Sequence, residues 1–191
     1  MDTLNRDQRR QQERQQKKLN SETIRLEYSV DPGLLQVYGI IIQAQLTITP
    51  SYAEALIAEG RVPPKPVNCR FLIDTGARTS MVKHEFAERA GLKLINSDTP
   101  IHGVGVDASG KTYMGRINFF TQSSLVHGVV HGIHVDARIL SGELSNQGNS
   151  KLVDGLIGRD VLNFFDLKFS TKFGKVVLTY HRPNSSNLKA T

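Results

Sequence analysis

The sequence is poor in cysteine and lacks tryptophan, and its shortages exclude several classes of protein. A single cysteine, Cys69, among 191 residues excludes an internal disulfide framework and a zinc site built from several cysteines. No apolar run approaches the roughly 20 residues that a transmembrane helix needs. The first residues carry charge and glutamine in place of the apolar stretch of a secretory signal. We therefore expect a protein without membrane contact, in a reducing compartment, most simply the cytoplasm.

Positive charge exceeds negative charge, giving a formal net charge of +6. Part of the excess lies near the N-terminus, at Arg6, Arg9, Arg10, Arg14, Lys17 and Lys18. No aromatic side chain is interleaved there, so nucleic-acid bases would have no stacking platform. We predict that residues 1–22 form a polar, flexible arm with only weak electrostatic affinity for phosphates.

From Ile24 the pattern changes to short β-rich segments separated by turns. Strands are predicted over residues 40–48, 67–73, 100–106, 112–121 and 125–140, with two more ending at Tyr180. The pair around Gly110 is typical of a long hairpin. Helix candidates lie at 52–59 with Ser51 as cap, at 83–90, and near 160–165. The pattern predicts one mainly β domain over residues 23–182, with one or two short helices, and a polar tail over 183–191.

The most informative segment is an apolar strand that ends in an acidic residue and a small turn. It reads Phe71-Leu72-Ile73-Asp74-Thr75-Gly76-Ala77. This order puts a carboxylate at the end of a buried strand, where desolvation and neighbours influence its ionisation. Gly76 lets the backbone approach a bound chain, and Thr75 offers a hydroxyl that can lock the loop. On its own, the segment is equally typical of an aspartate that caps a turn.

Two later segments add to this motif. Asp154-Gly155-Leu156-Ile157-Gly158-Arg159-Asp160-Val161-Leu162 predicts a short apolar strand, a glycine crossing and the start of a helix. Between the two motifs lies Ile101-His102-Gly103-Val104-Gly105-Val106, which is glycine-rich where a hairpin could bend over a cleft. In this order, the three segments resemble the retropepsins, the single-lobe aspartic proteases of retroviruses, retrotransposons and their cellular and bacterial relatives.

The resemblance covers residues 24–180 and implies a closed, mainly β acid-protease barrel with one lobe per chain. It implies an aspartic endopeptidase that acts on a protein or peptide substrate without a cofactor or metal. Pepsin-like enzymes carry two catalytic motifs in one longer chain, whereas only one Asp-Thr-Gly occurs here. Because the mechanism needs two carboxylates, the second Asp74 must come from a twofold-related copy in a homodimer.

The resemblance also assigns roles to individual residues. Asp74, Thr75 and Gly76 would be catalytic; Ala77, Arg78, Gly103, Val104, Gly105 and Val106 would bind substrate, the last four as a flap; and Gly158, Arg159 and Asp160 would support the loop from below. Ala77 lacks the hydroxyl found at this place in pepsin-like enzymes, which predicts a less acidic optimum.

One position departs from the retroviral pattern. Arg78 stands where those enzymes usually have an acid that pairs with the arginine of the Gly-Arg element, here Arg159. We therefore expect Asp160 to supply the acid and to pair with Arg78. Arg78 also lies where substrate subsites begin, so it could favour acidic peptide side chains.

Other features of the sequence say less about function than these three segments do. His127, His131 and His134 could chelate a metal on a helix, but the surrounding glycine and valine residues favour a strand, and we expect no metal site. Cys69 is expected to be a buried structural thiol. Two alternatives to a protease remain: a catalytically silent module of the same fold used for dimerisation or peptide binding, and a basic nucleic-acid adaptor.

Overall fold

The computed structural model describes residues 23–103, 106–120, 132–142 and 152–181. Within these ranges the chain forms ten strands and four short helices. The strands are β1 (Thr23–Ser29), β2 (Ile41–Thr47), β3 (Val67–Ile73), β4 (Met81–Val82), β5 (Lys93–Gly103), β6 (Val106–Phe119), β7 (Ile133–Ser141), β8 (Gly155–Ile157), β9 (Phe165–Ser170) and β10 (Lys175–His181). The helices are α1 (Pro32–Tyr38), α2 (Pro50–Ala58), α3 (His84–Arg89) and α4 (Arg159–Leu162).

Six of the strands close into a barrel. Their order is β2-β3-β8-β4-β7-β6, and β6 pairs back onto β2 to complete the ring. β5 continues beyond the ring as the antiparallel partner of β6. The predicted fold class, a closed single-lobe barrel of mainly β structure, is confirmed. The helices number four in the described residues, more than the one or two predicted.

The barrel core follows from alternation along its strands. In β3, Val67, Cys69, Phe71 and Ile73 are buried, and the residues between them face outward or lie half-buried. Each fully buried large apolar side chain contributes about 1.5–3 kcal/mol. The expectation that Cys69 is a buried thiol is confirmed, since it is 2% exposed. Burial raises the pKa of the Cys69 thiol to about 12.

A second, three-stranded sheet packs against the barrel. Its order is β1-β10-β9, with all pairs antiparallel. Leu26 and Leu178 are buried on its inner face. The Phe165 ring meets Phe119 of the barrel edge-on, with ring centroids 5.0 Å apart. The inner face of this sheet is therefore continuous with the barrel core.

The hairpin of β5 and β6 turns at a different place from the one predicted. The last described pair of the hairpin is Gly103 with Val106, and residues 104–105 lie outside the described residues. Gly110 lies inside β6 and not in a turn. A side chain at Gly110 would collide with the Ser141 carbonyl oxygen. Gly110 is therefore required by close packing between strands. In the sequence, a glycine with this role cannot be distinguished from a glycine in a turn.

The predicted helices agree with the observed ones to different degrees. α2 begins at Pro50, with Thr49 in the cap position, two residues before the predicted Ser51 cap. α3 confirms the helix predicted at 83–90, and Gly91 after it has a positive φ of 61°. α1 was not predicted, although Asp31 caps it by accepting a hydrogen bond from Leu34 N at 2.9 Å. α4 ends at Leu162, and Phe165 already belongs to β9.

Several predictions fall on undescribed residues. The arm at 1–22, the last residue of the predicted strand at 112–121, residues 125–131 of the predicted strand at 125–140, and the tail at 183–191 lie outside the described residues. The described part of that strand is β7. Among the described residues, none of the helices has the length and apolar character required to cross a membrane.

Candidate active site

Asp74 lies at the end of the central strand β3. β3 is flanked by antiparallel β2 and by parallel β8, in which Ile157 stands opposite Ile73. The Asp74 amide donates to the Ile157 carbonyl oxygen at 3.0 Å, and the Ile73 amide donates to Ile40 at 2.8 Å. The backbone on both sides of Asp74 is therefore fixed by neighbouring segments before the chain turns.

The turn after β3 holds one oxygen of the Asp74 carboxylate. Asp74 Oδ1 accepts hydrogen bonds from Gly76 N at 2.9 Å and from Ala77 N at 3.2 Å. The residue is half-buried, whereas Thr75 and Gly76 are exposed. Among the described residues, neither Asp74 Oδ2 nor the Thr75 hydroxyl has a hydrogen-bond partner. The loop thus presents one carboxylate oxygen and one hydroxyl on an open face.

The glycine crossing predicted from Gly158 lies directly against this loop. Arg159 N donates to the Ala77 carbonyl oxygen at 3.0 Å, and Asp160 N donates to that of Arg78 at 3.2 Å. A Cβ at Gly158 would lie 2.8 Å from the carbonyl carbon of Thr79. Only glycine lets the two segments approach this closely, so α4 starts in contact with the Asp74 loop.

The expected pairing of Asp160 with Arg78 is wrong. The Asp160 carboxylate instead accepts the Ser80 amide, at 3.0 Å to each oxygen, and the Ser80 hydroxyl at 2.7 Å. Ser80 is fully buried, and its hydroxyl also accepts a hydrogen bond from Gly158 N at 3.0 Å. The hydroxyl and the amide of one buried residue satisfy the carboxylate better than a long exposed guanidinium does, because less side-chain entropy is lost.

Arg78 and Arg159 are left exposed beside the loop. Neither guanidinium forms an ion pair with a carboxylate in the described part of the chain. Their main chains are nevertheless fixed, because the carbonyl of Arg78 and the amide of Arg159 both take part in the contacts between the loop and α4. Both residues are therefore fixed by their main chains where the Asp74 loop meets α4, with their side chains exposed.

A further charged pair, which the sequence did not reveal, supports the floor of the site. Asp154 is 7% exposed and precedes β8. Its Oδ2 accepts Arg70 N at 2.9 Å and Arg70 Nε at 3.2 Å, and its Oδ1 accepts Arg70 Nη2 at 3.1 Å. These bonds, led by the side-chain hydrogen bond, raise the pKa of Arg70. They join β3, at a position four residues before Asp74, to the residue that precedes β8.

The far end of the β5–β6 hairpin, near its last described pair, lies close to the same region. A Cβ at Gly142 would lie 3.1 Å from Ile101 Cδ1 and 3.8 Å from Met81 Sδ. Met81 directly follows Ser80, so the hairpin stands against the segment that leaves the loop. Of the predicted flap residues, Gly103 and Val106 pair as the last described positions, whereas Val104 and Gly105 lie outside the described residues.

The histidines give no donor set for a metal in the described ranges. There, no group of three His, Cys, Asp or Glu side chains is arranged to hold an ion. His134 Nδ1 donates to Asn118 Oδ1 at 2.7 Å on the barrel surface. His127 and His131 lie outside the described residues.

Comparison with known proteins bears on these elements together. No curated protein matches the chain. The family profile described as aspartyl protease matches residues 46–161, which is more than half of the chain. The matched region runs from β2 to the middle of α4 and includes Asp74, the β5–β6 hairpin and the Gly158 crossing. The chain belongs to this aspartyl protease family, which is part of the retropepsin-like clan.

Proposed function

We propose that this protein is a homodimeric aspartic endopeptidase in which each chain contributes one Asp74. The observation that carries the proposal is the state of that carboxylate: its Oδ1 is held by two amides of its own turn. Its other oxygen faces an open side of the loop. A second carboxylate on that side completes a site for water, and only one Asp-Thr-Gly occurs in the chain. A twofold-related copy supplies it.

In the proposed reaction, the two carboxylates share one proton because like charges held close together do not both ionise easily. The ionised carboxylate takes a proton from the bound water as the water oxygen attacks the peptide carbonyl carbon. The protonated carboxylate gives its proton to the carbonyl oxygen, forming a neutral tetrahedral diol. The diol collapses when a proton passes to the amide nitrogen, the C–N bond breaks, and an acid and an amine leave.

Other residues position these groups. The Gly76 and Ala77 amides orient the carboxylate, so that its unbound oxygen points toward the shared water. The exposed Thr75 hydroxyl bonds the opposite loop of the partner copy. The hairpin that ends at Gly103 and Val106 closes over the peptide and excludes bulk water. Gly158 and Asp160 hold the loop against α4, which fixes the geometry that catalysis needs.

The test compares the wild type with Asp74→Asn on a mixed peptide library, with cleavage products identified by mass spectrometry from acidic to neutral pH. Asp136→Asn, a change of equal charge at an exposed position of β7, is the matched control. We expect cleavage by the wild type and the control but not by Asp74→Asn. Equal cleavage by Asp74→Asn would overturn the proposal. So would no cleavage by any of the three while all remain folded dimers, which would favour a binding module.

A further inference from the structure

The connection between α2 and β3 is rich in proline and forms neither helix nor strand. It reads Arg61-Val62-Pro63-Pro64-Lys65-Pro66. Each proline fixes its own φ near about −65° and pushes the residue before it into extended backbone. Residues 62–66, which we call the proline segment, are therefore held close to a polyproline II helix, the left-handed helix with three residues per turn.

Burial along the proline segment follows the three-residue period of that helix. Pro64 and, three positions later, Val67 face the body of the protein. Val67 is 8% exposed, and Pro64 packs so closely on the end of α3 that a Cβ at Gly91 would lie 2.5 Å from Pro64 Cγ. Val62 and, three positions later, Lys65 face solvent, and Val62 is 91% exposed. One face of the polyproline helix is therefore packed and another is open.

The third face of the helix carries the other two prolines, of which Pro63 is half-buried and Pro66 is exposed. The outer side therefore presents two residue–proline pairs, Val62-Pro63 and Lys65-Pro66, one turn apart. Aromatic-lined grooves that recognise polyproline II segments bind two such pairs at this spacing and leave the residue between them outside the groove. Here that residue is Pro64, which faces the protein. The exposed side of the segment is thus the side that such a groove covers.

Both ends of the proline segment are fixed by backbone contacts. At the end of α2, the Arg61 amide donates to the Leu56 carbonyl oxygen at 2.8 Å. At the other end, Val67 opens β3 opposite Leu46 of β2. Because the segment is already ordered in the conformation that a groove binds, little chain entropy is lost on binding.

The charges beside the prolines indicate the chemistry of the groove. Lys65 is exposed and has no acidic partner in the described parts of the chain. Arg61 contacts Glu59 at 3.3 Å, but both side chains are more than half exposed, so this ion pair is weak and open to exchange. The segment therefore fits a groove with acidic residues along its rim.

We propose that residues 62–66 dock this protein onto a partner protein through a polyproline-binding groove of the SH3 class, lined by aromatic residues and rimmed by acidic ones. Val62-Pro63 and Lys65-Pro66 fill the two pockets of the groove, and Arg61 and Lys65 contact its acidic rim. The protein is thereby tethered to its partner by a short, preformed ligand.

The docking site is separate from the candidate active site. The proline segment precedes β3, and Asp74 follows it, so the 7 residues of β3 lie between them. At about 3.3 Å per residue, the strand spans about 23 Å. A bound groove therefore leaves the Asp74 loop open to a substrate. The inference goes beyond the proposed function and does not depend on it.

The test measures binding of the folded full chain to a panel of purified SH3 domains by isothermal titration calorimetry. We expect at least one domain to bind with a dissociation constant below about 100 μM. The double variant Pro63→Ala with Pro66→Ala should bind that domain about tenfold more weakly or worse, because both pockets lose their proline. The matched control is Pro32→Ala with Pro50→Ala, which removes two exposed prolines elsewhere and should bind like the wild type.

A second pair of variants tests the charge at the rim. Lys65→Glu should weaken binding by about threefold or more, because a carboxylate would then face the acidic rim. Lys172→Glu makes the same change at an exposed position between β9 and β10 and should bind like the wild type. Circular dichroism checks that every variant is folded.

Two outcomes would overturn the docking site. One is that no domain of the panel binds the wild type; the other is that the variants at 63, 65 and 66 bind as tightly as their controls. Peptide cleavage measured on the same samples tests the proposed function separately. Binding that follows the prolines and Lys65 supports the docking site even where no peptide is cut, whereas cleavage without such binding leaves the protease in place and overturns the docking site.

Discussion

The Ser80 hydroxyl donates a 2.7 Å hydrogen bond to the Asp160 carboxylate. This bond joins the segment that leaves the Asp74 loop to the first turn of α4. It takes the place of the Arg78–Asp160 pair that the sequence predicted. The same hydroxyl accepts a hydrogen bond from Gly158 N. The buried Ser80 side chain therefore binds both the glycine crossing and the first turn of α4.

The first prediction concerns this connection. Ser80→Ala removes the hydroxyl that accepts from the Gly158 amide and donates to the Asp160 carboxylate, while the Ser80 amide bond to Asp160 remains, so the free energy of unfolding should fall by about 1–3 kcal/mol. Urea denaturation measures it. Ser51→Ala, at an exposed position, should change the value by less than about 0.5 kcal/mol. Arg78→Ala should also leave the free energy of unfolding unchanged. If Arg78→Ala lowered it as much as Ser80→Ala does, the predicted pairing of Arg78 with Asp160 would be supported after all.

The second prediction concerns the buried aspartate below the site. Asp154→Ala removes three hydrogen bonds to Arg70, so it should destabilise the fold by about 2–4 kcal/mol. Asp136→Ala breaks the Arg116–Asp136 pair, in which the Asp136 side chain is 46% exposed, and should cost at most about 1 kcal/mol. Equal losses in thermal or urea unfolding would mean that Asp154 has no special structural role.

The third prediction concerns the thiol. Because burial raises the pKa of Cys69 to about 12, the reactive thiolate is scarce at all lower pH values. Labelling with a thiol reagent near about pH 8 should therefore proceed at the rate of unfolding, and should become fast in concentrated urea. Rapid stoichiometric labelling of the folded protein would contradict the buried, protonated state.

The fourth prediction concerns substrate choice. The exposed side chains of Arg78, in the Asp74 loop, and Arg159, at the start of α4, have no acidic partner in the described residues, so acidic peptide side chains should bind to them. The double change Arg78→Gln with Arg159→Gln should lower kcat/KM for a peptide with acidic residues near the cut by about tenfold or more. A neutral peptide should be affected little, and Arg138→Gln, exposed on β7, should leave both unchanged. An equal loss for both peptides would point to a structural effect.

Local signals predicted the parts of the site that are local. The order strand, Asp74, small turn and the later Gly158 crossing were readable because each depends on adjacent residues. The Arg70–Asp154 pair was not, since these residues are 84 positions apart and only the parallel pairing of β3 and β8 brings them together. The same holds for Gly110, whose role comes from the carbonyl of Ser141. α1 was missed because it is a short helix without an apolar stripe, with only Leu35 buried.

The position of β9 at the edge of the three-stranded sheet could not be predicted from the sequence either. The strand itself was expected, but its position at the edge of the sheet follows from the pairing of β1 with β10. The two domain ends, at residues 1–22 and 183–191, stay predictions.

The central claim, that each chain gives one Asp74 to a shared site, is tested most directly by mixing chains. Wild-type and Asp74→Asn chains are combined in varying proportions at constant total concentration, re-equilibrated, and assayed for peptide cleavage. The account predicts that activity falls as the square of the wild-type fraction, so an equal mixture keeps about one quarter of the activity. Activity that falls in simple proportion, to about one half in the equal mixture, would mean that each chain works alone and would contradict the account.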